Sequence, residues 1–139
     1  VACGGALIGA LFAEPDERLM AYMLMMIEPP AQRATRTRQE GERAYARMQR
    51  FAAELQEQGV LRGVESLAAE QAARVTVHEG QPRVLDGPFA EAKEMVGGFF
   101  LVDVATREEA LALAARCPAA EWCTVEVRAL GPCFLESRA

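Results

Sequence analysis

Met20-Ala21-Tyr22-Met23-Leu24-Met25-Met26-Ile27-Glu28 is a short, nearly unbroken apolar run closed by Pro29-Pro30. Its length is that of a strand, far below a membrane span, and continuous apolarity suits a strand buried on both faces. Thr37-Arg38-Gln39-Glu40 follows, in the Ser/Thr-x-x-Glu form of a helix capping box. Beyond it Ala44, Met48, Phe51, Ala52 and Leu55 recur at helical spacing, one apolar stripe that ends before Gly59. A buried strand followed by an amphipathic helix is the first half of an α+β unit.

Downstream, Val60 to Leu67 reads as a second strand. Arg74-Val75-Thr76-Val77-His78 alternates as a strand with one buried face, Glu79-Gly80-Gln81-Pro82 is a turn, and Arg83-Val84-Leu85 returns antiparallel. Asp86-Gly87-Pro88-Phe89 is a rigid turn, and Ala90 to Met95 is read as one exposed helical turn. Val96 to Val104 is a strand in which Gly97-Gly98 permits a bulge or the close approach of other atoms. Thr106-Arg107-Glu108-Glu109 opens a second helix with Ala110, Leu111, Ala114 and Cys117 facing inward, which Pro118 ends. Trp122 to Leu130 alternates as a half-buried last strand.

Without the hairpin the order is βαββαβ, the ferredoxin-like α+β unit with helices on one sheet face. Two helices leave the other face open, and strands this apolar call for cover. A second copy of the same sheet supplies it, so a homodimer packed sheet to sheet is expected.

Across 139 residues, 51% are hydrophobic and 25% charged, the balance of one soluble globular domain large enough to bury a core without staples. The domain is placed at residues 20–130. Residues 1–19 read as an extension or linker, disordered or not native to the domain, and 131–139 as a tail. The apolar Val1 to Ala13 lacks the basic start of a secretory signal. The net charge is −5, with Lys93 the only lysine, which argues against direct nucleic-acid binding. Six arginines from Arg33 to Arg50 are interrupted by Glu40 and Glu42, as on a solvated helix face. Cys3, Cys117, Cys123 and Cys133 lack zinc-site spacing and read as small core residues of a reducing, cytoplasmic protein. No metal or cofactor motif is present, and no membrane association is expected.

Asp86-Gly87-Pro88-Phe89-Ala90-Glu91-Ala92-Lys93-Glu94, then Gly97-Gly98-Phe99-Phe100-Leu101-Val102, and finally Val125-Glu126-Val127-Arg128, give the chain a resemblance to the YCII-related family, in its DGPF branch. The resemblance runs from about Met20 to Arg128. It implies a dimeric α/β barrel, with activity largely uncharacterised. Members of the DGPF branch often occur beside, or fused to, extracytoplasmic-function sigma factors, which makes such a factor a partner to consider. A His and Asp pair has been suggested as catalytic in one branch. Here the corresponding helix position is close to Arg47, and His78 is the only histidine.

Asp86 is the candidate acid or base. A carboxylate held by a Gly-Pro turn beside Phe89 is fixed and partly desolvated, although Asp before Gly-Pro also commonly accepts backbone N–H bonds in a turn. Arg47 and Tyr45 on the first helix are candidate walls of a cleft beside the sheet, an Arg there favouring a carboxylate or phosphate. Pro88, Phe89, Lys93 and Phe100 complete the candidate ligand contacts. Phe99 and Phe100 point to opposite faces of their strand. Two functions are consistent with these residues. One is a small-molecule enzyme or its descendant, using isomerase- or lyase-like acid–base chemistry without a metal. The other is a non-enzymatic accessory protein acting near a sigma factor in transcriptional or stress regulation, which the missing histidine favours.

Overall fold

The structure, a computed structural model, describes residues 20–89 and 91–135. The expectation for residues 1–19, and for most of the tail's end, lies outside the described residues. Strand β1 (Met20–Glu28) leads through a 3-10 turn (Arg33–Thr35) into helix α1 (Arg38–Glu57). Strand β2 (Leu61–Ser66), a hairpin of β3 (Ala73–His78) and β4 (Gln81–Asp86), and strand β5 (Met95–Val104) follow. Helix α2 (Arg107–Arg116), a 3-10 turn (Pro118–Glu121) and β6 (Thr124–Ala129) complete the order. The main sheet runs β2-β5-β1-β6 with every neighbouring pair antiparallel, which is the ferredoxin-like α+β arrangement.

Both helices start where the capping residues lie. The Thr37 side chain accepts a hydrogen bond from the Glu40 backbone N–H, and the Glu40 carboxylate accepts one from Thr37 N–H, a complete box. Thr106 caps α2 in the same way, but the Glu109 carboxylate reaches back one residue further, to Ala105 N–H. Helix α1 ends at Gly59, whose φ of 73° is the left-handed conformation that glycine adopts without a Cβ clash.

The core lies between the helices and one face of the sheet. Tyr22, Leu24, Met26, Phe100, Val102 and Val104 pack there against Phe51 and Leu55 of α1 and Ala110, Leu113 and Ala114 of α2. The rings of Phe51 and Phe100 meet edge to face, 5.2 Å between centroids and 79° between planes. In α2 it is Leu113 that is buried and Leu111 that is exposed, so the inward face is rotated from the one expected. Nine-residue β1 is likewise not buried on both faces: Met23, Met25 and Ile27 are only half-buried, with Phe99 and Leu101 beside them on the same face.

Three local expectations change. The turn closes on Glu79-Gly80, both with positive φ, so Gln81 and Pro82 already belong to β4. Glu91 to Glu94 form turns and a bend rather than a helical turn, since Met95 already pairs with Glu28. Among the described residues the hairpin pairs only with itself, and its alternating face of Val75, Val77 and Val84 is exposed instead of buried. Among the cysteines, Cys117 is buried and Cys123 half-buried, but Cys133 is exposed and is no core residue.

Candidate functional site

The site is built where β1 ends. Met26 and Ile27 of β1 pair with Gly98 and Val96 of β5, so Gly97 is an extra residue, a bulge. Both glycines admit close neighbours. A Cβ on Gly97 would lie 2.6 Å from the Glu28 carboxylate, and one on Gly98 would lie 2.8 Å from Glu65 O. The bulge therefore lets the Glu28 side chain fold against the β5 backbone, where the residue is only 4% exposed.

Arg33, in the 3-10 turn, closes over that carboxylate. Its Nε lies 2.6 Å from Glu28 Oε1. Its two terminal nitrogens donate elsewhere, to Leu67 O at 2.6 Å and to Gly97 O at 2.9 Å. One guanidinium thus ties β1, the end of β2 and the start of β5 together. Glu28 Oε1 is buried and the contact with Arg33 is not aligned as a hydrogen bond.

Between this ion pair and α1 lies a groove of about 600 Å³. Its floor is Met26, Phe100, Met48 and Ala52, and Arg36, Tyr45, Trp122 and Glu28 stand around it. Arg36 is half-buried, its guanidinium 5.4 Å from the centre of the Trp122 ring. The arginines nearby differ in what they hold. Arg33 pairs with Glu28, Arg38 with Glu42, and Arg47 with Glu121. Arg36 has no carboxylate within ion-pair distance among the described residues.

The expected site residues divide. Tyr45 and Phe100 line the groove, and they lie together. Arg47 does not: it stands 5.5 Å from the Trp122 ring, held by Glu121 outside the groove, so its charge is already matched. Asp86, Pro88, Phe89 and Lys93 belong to the root of the hairpin and none lines the groove. Asp86 is exposed, so the desolvation expected for an acid–base carboxyl is absent within the chain. Phe89 is half-buried beneath Arg74, whose guanidinium lies 3.9 Å from its ring centre, and Pro88 and Lys93 are exposed. Gly87 N–H donates to Ala72 O, and the Gly87–Pro88 peptide is cis.

Glu28, Arg33, Arg36 and Trp122 were not among the sequence candidates. For Glu28 and Arg33 the sequence holds one signal, the Gly97-Gly98 pair, read as room for a close approach; what approaches is the Glu28 carboxylate with Arg33 over it, and nothing comparable points to Arg36 or Trp122. Two titratable groups beside the groove are shifted. Burial, with help from the Glu28 charge, pushes the Cys123 thiol up to about 11. Burial also raises Cys117. A raised thiol disfavours the thiolate, which is the nucleophilic form. No cluster of metal-ligating residues occurs among the described residues, and none of the described helices is long and apolar enough to cross a membrane.

Residues 20–132 match the YCII-related domain family. Over 93 residues the chain is 33% identical to an uncharacterized protein of Rhizobium meliloti, an alignment covering 66% of this chain and 75% of that protein.

Proposed function

The chain belongs to the YCII-related domain family, and from that premise we propose that it binds a small carboxylate in the groove between α1 and the sheet. The observation that carries this reading is Arg36. A half-buried guanidinium against an indole, above an apolar floor and without a carboxylate of its own among the described residues, is a site for an anionic group. A volume of about 600 Å³ suits a metabolite-sized ligand. One such cation matches a singly charged carboxylate better than a phosphate dianion. Asp86, at the hairpin root, has no part in this reading, which is one of binding rather than turnover.

Trp122 is the only tryptophan, so its emission reports on the groove. Phenylacetate should change that emission saturably, and Arg36→Met should weaken the binding about tenfold, the loss of one charge-assisted contact. Absence of saturable binding at millimolar phenylacetate would reject the reading.

The same reading takes the protein as a homodimer. Met23, Met25, Ile27, Phe99 and Leu101 form a contiguous apolar strip on the sheet face that neither of the described helices covers, and a second copy of the strip is its self-complementary cover. Sedimentation equilibrium should give a dimer, and Leu101→Arg a monomer. A monomeric wild type would refute this part alone.

A further inference from the structure

Resting on the groove reading, we infer that the carboxylate ligand also carries a hydroxyl, and that Glu28 accepts its hydrogen bond. A carboxylate offers about four acceptor positions, and buried ones are ordinarily satisfied. Glu28 departs from this. It is 4% exposed, it lines the groove, and no hydrogen bond among the described residues ends on its Oε1. Arg33 is the natural donor, yet its terminal nitrogens are committed to the Leu67 and Gly97 carbonyls, leaving only a misaligned Nε beside Oε1.

The surroundings select the kind of donor. Arg33 already neutralises the Glu28 charge, so an ammonium group brought to this end would face the guanidinium as well as the carboxylate. A neutral hydroxyl satisfies the acceptor without that repulsion. The backbone is shaped for the purpose: Gly97 is the bulged residue, and its missing Cβ leaves the space that the carboxylate fills. With Arg36 at one wall, Glu28 at another and Met26, Met48 and Phe100 between them, the ligand is a hydroxy-carboxylate with an apolar body.

The test compares phenylacetate, its 2-, 3- and 4-hydroxy isomers, and 4-(aminomethyl)phenylacetate by calorimetry and Trp122 emission on the full chain. At least one hydroxy isomer should bind about tenfold more tightly than phenylacetate, as a hydrogen bond to a charged acceptor gives, with the amine the weakest. Glu28→Gln should erase that preference, so that the hydroxy isomers bind no more tightly than phenylacetate does to the same variant. If phenylacetate binds and no hydroxy isomer exceeds it, or if the preference survives in Glu28→Gln, the inference is overturned and the Arg36 reading stands. If none of the probes binds, both fall. Should Glu28→Gln not fold, Glu28→Gln with Arg33→Gln removes both charges of the pair and serves for the same comparison.

Discussion

Arg47 grips Glu121 with both terminal nitrogens, donating two parallel hydrogen bonds of 2.7 and 2.8 Å to the two carboxylate oxygens. The pair joins the middle of α1 to the residue just before Trp122, and so holds one wall of the groove. Such forked pairs fix geometry more than they add stability when both partners are solvent-exposed.

The Arg47 hydrogen bond holds the Glu121 carboxyl below its ordinary 4.5. A depressed carboxyl contributes stability that is present above 4.5 and lost as pH falls through its folded value. Trp122 emission should therefore stay constant as pH drops to 4.5 and change only below it. Glu121→Gln should show the acid-type emission already at neutral pH. A transition above 4.5, or one unaltered in the variant, would sink the clamp.

The thiols order themselves by burial. Cys133 is exposed, whereas Cys123 is pushed up to about 11 and Cys117 is raised by burial. Iodoacetamide near neutral pH, followed by peptide mapping, should label Cys133 well before the other two. The same shifts predict that stability falls as pH rises from 9 towards 11, because the folded state keeps protons that the unfolded chain releases. Equal labelling of Cys117, Cys123 and Cys133 in the native protein would contradict the burial.

Glycines at three positions should respond differently to alanine. At Gly97 the new Cβ would stand 2.6 Å from the Glu28 carboxylate, and urea unfolding should show a loss of about 1–3 kcal/mol. Gly98→Ala meets the Glu65 carbonyl at 2.8 Å and should lose a similar amount. Gly41, inside α1 with nothing within 4 Å, should instead gain about 0.5–1 kcal/mol. A neutral Gly97→Ala would show that Glu28 is free to move away.

Asp86→Asn should change stability by less than about 0.5 kcal/mol. The side chain is exposed and makes no hydrogen bond among the described residues, so there is no turn bond to lose. A drop in the urea midpoint worth about 1 kcal/mol would assign Asp86 a structural bond after all.

What could be read in advance follows the range of the forces involved. Thr37 with Glu40, and Gly59, announce α1 because caps are local, and β1 and β5 stand out because their apolar runs are continuous. Helix α2 was harder. Ten residues rich in alanine give little contrast between faces, and Leu111 and Leu113 are separated only by what the sheet offers them. The groove was harder still. Its walls come from the end of β1, the 3-10 turn, α1, the start of β5 and the turn before β6, which only the strand order brings together. Arg47 and Arg36 look alike in the sequence. One lies next to Glu121 and the other does not, and that difference appears only once the turn before β6 is seated against α1.

The strand order also sets a schedule for synthesis. β1 lies between β5 and β6 in the sheet, and both are made long after it. Until Met95 and the residues beyond it leave the ribosome, the methionine-rich β1 has neither of its hydrogen-bonding neighbours. Long-range pairing of this kind is slow and leaves unpaired edges exposed to association. From its own synthesis until that of β5 the nascent chain therefore carries this methionine-rich strand unpaired, a segment for a chaperone to cover.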